Sequence, residues 1–167
     1  NASPERAARI ILGMHFIPEM PIYRTDRIRS YEVFAMAYVK VGSHTSATAC
    51  LTYGLYKEGK LREGVVVSSV NCDAEHAKQE FKAVQIMWNK TDKIQAHTII
   101  ESYEAGTDPN LVNQLGHELA ERVAPGHQCV VFTHLDGRGG KPHNHIIINA
   151  VNMETGKKFQ SSKFLYR

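Results

Sequence analysis

The sequence lacks most of the features that would announce a class. Its three cysteines, Cys50, Cys72 and Cys129, have no metal-type spacing. An odd count also argues against a disulfide framework and fits a reducing cytoplasm. No apolar run approaches the about 18 residues of a membrane helix, so no membrane insertion is expected. The opening Asn-Ala-Ser-Pro-Glu-Arg has no signal-peptide pattern. There is no internal repeat and no low-complexity tract. Charge of one sign is scarce too: the net charge is only +3, and bulk charge does not mark a nucleic-acid binder.

What is present is more specific. With 167 residues and 43% apolar content, the chain can build one domain with a real core. The basic residues are unevenly placed. Arg138, Lys141, Lys157, Lys158, Lys163 and Arg167 crowd the last segment, against only Asp136 and Glu154. The remainder is close to neutral. A local basic end suits a polyanionic partner, although a solvated surface has the same composition.

The chain divides near Met36. Residues 1–35 hold Pro4, Pro18 and Pro21 and read as an N-terminal extension draped on the domain, with a short helix over 4–12 capped by Ser3. Beyond it the pattern is regular. Strands are expected over 37–41, 65–70, 96–103, 128–134 and 143–151. Helices are expected over 46–57, 73–89 and 110–123, the first capped by Ser43 or Thr45. Ala77, Phe81, Val84, Met87 and Trp88 form the apolar stripe of the second, and Leu111, Leu115, Leu119 and Val123 that of the third. Ser161 or Ser162 would cap a last helix. This order predicts an α+β sandwich, a mostly antiparallel sheet with helices packed on it.

The chemistry concentrates in the segment from Thr133 to His145. His143 and His145 are two apart, so on a strand their side chains share a face. His134 ends the preceding strand, and an eight-residue loop rich in glycine returns the chain beside it. Three imidazoles can then converge on one divalent ion and leave positions open for substrate. With no anionic ligand the ion stays electrophilic, which suits polarisation of a phosphate oxygen. Asp136 either orients an imidazole or serves the turn. On the strand over 96–103, His97 and Glu101 share a face and are further candidates for proton transfer or support. A nucleophile would be water or a tyrosine. Of seven tyrosines, Tyr53 and Tyr56 lie three apart on an expected helix, where core packing is the commoner role for an aromatic residue.

Several blocks carry a resemblance. They are Ala49-Cys50-Leu51-Thr52-Tyr53, Val70-Asn71-Cys72-Asp73, Asn89-Lys90-Thr91-Asp92 leading to Gln95-Ala96-His97-Thr98-Ile99-Ile100, and Thr133-His134-Leu135-Asp136. The last is joined to Pro142-His143-Asn144-His145-Ile146-Ile147-Ile148-Asn149 and Glu154-Thr155-Gly156-Lys157-Lys158-Phe159. With them the chain from Met36 onward resembles the MobA-type mobilisation relaxases of the HUH (histidine–hydrophobe–histidine) endonuclease superfamily.

The resemblance implies a two-layer sandwich with a central antiparallel sheet, His134, His143 and His145 as ligands of Mn²⁺ or Mg²⁺, Tyr53 as nucleophile and His97 beside the site. It implies nicking of one DNA strand at an origin of transfer through a 5′-phosphotyrosine, in the bacterial cytoplasm. Partners would be single-stranded or supercoiled DNA, accessory relaxosome proteins and a coupling protein. The DNA would track Arg138, Lys141, Lys157 and Lys158. Residues 36–167 would be the nuclease domain, continuing in the family beyond this chain's C-terminal side.

Three other readings remain at this level. A rolling-circle replication initiator shares the chemistry, but its tyrosine usually follows the histidines, which makes Tyr166 the residue to examine. A cupin-like metalloenzyme would need a carboxylate after His-x-His, and residues 146–151 supply none. A DNA-binding or interaction domain with a structural metal would be non-enzymatic.

Overall fold

The structure is a computed structural model that describes residues 38–160. One compact unit spans Ala37–Phe159. The expected helix over 4–12, the extension over 1–35, the cap at Ser161 or Ser162, and Lys163, Tyr166 and Arg167 lie outside the described residues.

Strand β1 (Tyr38–His44) leads to helix α1 (Ala47–Leu55) and a small hairpin, β2 (Tyr56–Lys57) and β3 (Lys60–Leu61). Then come β4 (Val66–Val70), α2 (Ala77–Met87), β5 (Ala96–Ser102), α3 (Pro109–Val123), β6 (Cys129–His134) and β7 (His143–Asn149). Five strands form one sheet in the order β1-β5-β7-β6-β4, and all neighbours are antiparallel. The fold is therefore α+β with a central antiparallel sheet and three helices packed on it.

The helices take both faces. Side chains alternate along each strand, so Phe132 and Ile147 point to one face, where they join Leu51 of α1 and Phe81 of α2 in a buried cluster. Val131 and Asn144 point to the other, against Gly116 of α3. Both central strands are thus covered on each side, and β6 is buried along its whole length. No helix among the described residues is long and apolar enough to cross a membrane.

Local chemistry explains where the elements begin and end. Ser46, rather than Ser43 or Thr45, caps α1, its hydroxyl accepting from the Ala49 N–H at 3.1 Å. Ser43 and His44 continue β1 instead. The expected helix over 46–57 stops at Leu55, because Glu58 and Gly59 both take positive φ (52° and 78°). Two such residues form the tight turn that suits a two-residue hairpin. In α2 the first expected turn is an Asx turn, with Asp73 accepting from the Glu75 N–H at 2.8 Å. The apolar stripe also ends early: Met87 and Trp88 are 64% and 37% exposed, and Gln85 takes the buried position. The Trp88 indole instead lies against Gly156 and donates to the Met153 carbonyl. Helix α3 matches its expectation closely, starting one residue early with Pro109 in its first turn and Asp108 as cap.

Candidate functional site

Register brings the three histidines together. In the β6–β7 pairing His134 stands directly opposite His143, and Phe132 opposite His145. Directly opposed residues share a face, and His145 is two positions along from His143, so all three point the same way. Their ring centroids are 4.7 to 5.3 Å apart. Each offers a nitrogen, and these atoms all lie within 4.8 Å of one another.

The state of the rings suits a metal ion. The His134 Nε2–H donates to the Gly54 carbonyl oxygen at 2.7 Å. A carbonyl only accepts, so Nε2 carries the proton and the neutral ring presents Nδ1 as a lone pair. That Nδ1 is buried with no hydrogen-bond partner. An unsatisfied buried polar atom costs about 1–3 kcal/mol, which coordination to a metal would remove. Burial lowers the pKa of His134, and it drives His145 down to about 3, helped by His134, His143 and Arg62. Protons therefore do not compete for the His134 and His145 nitrogens at neutral pH. The donor set, three imidazoles converging from two strands, fits a divalent cation.

Tyr53 is on the same side of the sheet. Its ring centroid is 5.4 Å from that of His145 and 6.4 Å from that of His134. Helix α1 delivers it there through Ala47, Leu51 and Gly54, which are buried at helical spacing and press the helix onto the sheet. Gly54 is a close approach: a Cβ there would stand 2.3 Å from the Phe132 ring. The bare Cα lets the helix end settle near enough for its carbonyl to hold His134. Tyr56 is separated from Tyr53 because it leaves the helix and enters β2, where its backbone is extended.

Sequence reasoning missed two cations here. The Arg62 guanidinium lies 4.9 Å from the Tyr53 ring centroid, and its Nε donates to the Tyr53 carbonyl at 3.3 Å. Arg62 Nη1 and Lys57 Nζ both donate to Asp136 Oδ2, at 2.7 and 2.8 Å. Asp136 thus binds the hairpin rather than an imidazole. The Lys57 hydrogen bond, with Arg62 adding to it, holds its pKa down at about 2. The hairpin that carries both cations has no Asn-Gly signal, so only its positive-φ Glu58 and Gly59 reveal it.

His97 does not join the cluster. It pairs with Ile148, one position out of step with His145 and Ile147, and so points to the opposite face. There its Nδ1 is hydrogen-bonded with the Ser43 hydroxyl at 3.0 Å, and its ring is 5.0 Å from that of Phe159. Burial first, then His127, His44 and Lys158, push its pKa down to about 4.

Glu101 faces the same way as His97 and is buried behind the histidines. It accepts from the Asn144 amide and the Tyr103 hydroxyl, both at 3.2 Å, and burial raises its pKa. Asn144, between the two β7 histidines, also donates to the Val112 carbonyl and accepts from Thr133. A polar residue can occupy this fully buried middle position because its hydrogen bonds are met.

The expected DNA contacts divide. Arg138 and Lys141 are exposed in the loop between His134 and His143, with Lys141 paired to Glu104 at 3.3 Å. Lys157 and Lys158 follow the far end of β7, about 20 Å along the strand from His143 at ordinary strand rise. Lys158 is engaged in holding the Asp92 and Ile94 carbonyls. It is a structural residue of that end.

Residues 53–167 match the family model described as relaxase, MobA/VirD2-like, nuclease domain. A Staphylococcus aureus protein named rlx is 46% identical over 129 residues, covering 77% of this chain and 38% of its own length. The group II intron-interrupted relaxase LtrB of Lactococcus lactis is 28% identical over 92 residues, covering 53% of this chain and 16% of its own length. A solved structure from work on the molecular basis of vancomycin resistance transfer in Staphylococcus aureus aligns at a TM-score of 0.48 and 20% identity, covering 75% of each chain. This chain thus spans about two fifths of the rlx relative it matches. With the match reaching from Tyr53 to the last residue and the rlx likeness over three quarters of the sequence, the chain belongs to the MobA/VirD2-like relaxase family, as its nuclease domain.

Proposed function

We propose that this domain nicks one DNA strand at an origin of transfer by transesterification onto Tyr53, and so starts mobilisation of a plasmid or integrative element. The observation that carries the reading is the phenol ring of Tyr53 set 5.4 Å from His145, beside three imidazoles whose nitrogens converge within 4.8 Å. In this reaction the Tyr53 oxygen attacks the scissile phosphorus and its proton passes to solvent. The P–O3′ bond breaks, and the departing 3′ oxygen takes up a proton to become a hydroxyl. The product is a 5′-phosphotyrosine. One phosphodiester replaces another, so the same step run backwards rejoins the strand.

His134, His143 and His145 would hold Mn²⁺ or Mg²⁺, and such an ion supplies Lewis-acid neutralisation of charge on the phosphate oxygens. Gly54 fixes the His134 ring, and Arg62 fixes Tyr53 by both its ring and its carbonyl. Arg138 and Lys141, in the loop joining two ligand-bearing strands, are suited to the phosphates that flank the site. His97 has no part in the step, because its face of the sheet is the other one. In the cell the reading implies accessory relaxosome proteins and a coupling protein as partners, in the bacterial cytoplasm. It takes residues 36–167 as the nuclease domain and 1–35 as an extension.

The test is adduct formation on a single-stranded oligonucleotide spanning the nick site, resolved by denaturing electrophoresis. Wild type with Mn²⁺ is expected to give a covalent protein–DNA band, and Tyr53→Phe none. An undiminished band from Tyr53→Phe would move the nucleophile elsewhere, with Tyr56 and Tyr166 next to be replaced.

A further inference from the structure

Arg62 lies against Tyr53 and is joined through Asp136 to Lys57, and the charges of Lys57 and Asp136 are not used by the nicking step. Their arrangement is specific. A single oxygen, Asp136 Oδ2, receives Arg62 Nη1 at 2.7 Å and Lys57 Nζ at 2.8 Å. The Arg62 side chain is only 7% exposed, whereas those of Asp136 and Lys57 are 42% and 56% exposed. The guanidinium is therefore fixed and desolvated, while its counterion remains open to water. Together they line a cleft of about 480 Å³ that also takes in Glu58, Lys60, Glu63, Val65 and His134. The cleft thus runs from the hairpin to a metal-site histidine.

Two cations that converge on one anionic oxygen form a seat for such an oxygen. A carboxylate fills it here, and a phosphodiester oxygen has the same charge and hydrogen-bonding capacity. Arginine matches a phosphate in two-toothed geometry, and a desolvated arginine gains more from it than a hydrated one. The resident carboxylate is itself 42% exposed, so an incoming anion can reach the donors it occupies.

Resting on the nicking reading above, we propose that Lys57 and Arg62 bind a backbone phosphate flanking the one Tyr53 attacks, and that Asp136 is the counterion this phosphate displaces. Arg62 then has two tasks, holding Tyr53 and anchoring the strand that Tyr53 must meet. Asp136 keeps the seat ordered between substrates and lowers affinity for any strand that engages it.

The test uses the 167-residue chain and a fluorescent oligothymidine, read by anisotropy in EDTA at several salt concentrations, with folding of each variant checked by thermal unfolding. No cleavage and no metal enter this measurement, so its failure is distinct from loss of the Tyr53 adduct. Asp136→Asn is expected to tighten binding about two- to five-fold, the size of removing a partly exposed competing charge. Lys57→Gln is expected to weaken it and to reduce the slope of log affinity against log salt by about 0.7, one single-strand phosphate contact. Lys82→Gln is the charge-matched control, on α2 in a different cleft with Thr45 and Gln95. The proposal is overturned if Asp136→Asn binds no more tightly than wild type, or if Lys57→Gln has the same slope as Lys82→Gln. Absence of measurable binding by both wild type and Asp136→Asn overturns it as well.

Discussion

Replacing Gly54 by alanine adds a single methyl group at the point where α1 touches the sheet. That methyl would stand 2.3, 2.5 and 2.7 Å from three carbons of the Phe132 ring. Ordinary contact is about 3.5–4.0 Å, so ring and helix must separate by about 1 Å. Phe132 is 1% exposed and buried in one cluster with Leu51 and Ile147, so the ring has little room to move. The helix end must lift instead, taking the Gly54 carbonyl away from His134 Nε2, which it meets at 2.7 Å. Overpacking of this kind costs about 1–3 kcal/mol, and the better helix propensity of alanine offsets about 1 kcal/mol.

The larger effect falls on the metal. Loss of the partner that orients a metal-binding histidine typically lowers affinity about 10- to 100-fold. Gly54→Ala should therefore lose roughly 1 kcal/mol of stability and at least ten-fold in Mn²⁺ affinity. Thermal unfolding in EDTA reads the first, and calorimetric titration of the metal-free chain reads the second. Phe132→Leu combined with Gly54→Ala should recover part of the affinity by making room. If Gly54→Ala binds Mn²⁺ as tightly as wild type, the carbonyl does not hold the ligand and the close approach has no functional weight.

Two further outcomes follow from buried groups on the opposite face. The folded-state pKa of His97 is about 4, below its ordinary 6.5. The unfolded chain then binds more protons, so this stabilisation is full above about pH 6.5 and is lost as pH falls toward 4, about 3 kcal/mol in all. His97→Gln should flatten that part of the acid limb in chemical-denaturation curves taken in EDTA from pH 7 to pH 4; an unchanged limb would show that the ring is not buried neutral. For Glu101, glutamine retains an oxygen that can accept from Asn144 and Tyr103 and removes a desolvated charge, so Glu101→Gln should be neutral or more stable at pH 7. Glu101→Ala leaves those donors without their acceptor and should cost about 1–3 kcal/mol in urea unfolding; equal effects of the two variants would refute the hydrogen-bonding account.

Much of the site was legible in one segment, because its chemistry is local. His143 and His145 share a face by strand alternation alone, and the eight-residue return loop announces that His134 comes back beside them. Resemblance to the relaxases then singled out Tyr53 among seven tyrosines. His97 was misplaced for an equally local reason. Alternation tells which residues of one strand share a face, but not which of its faces meets the neighbouring strand's histidines. A one-residue step in the β5–β7 register decides that, and it sends His97 and Glu101 behind the sheet.

The sequence by itself determined the antiparallel α+β class, the three helices and the three metal-competent imidazoles. Each of these is written in short-range periodicity and spacing. Tertiary structure decided what surrounds them. It placed His134 opposite His143, closed α1 onto Phe132 through Gly54, and folded the β2–β3 hairpin so that Arg62 covers Tyr53 and meets Asp136, 74 residues away. Those contacts join residues distant in sequence, so they depend on register and packing, which no local pattern encodes.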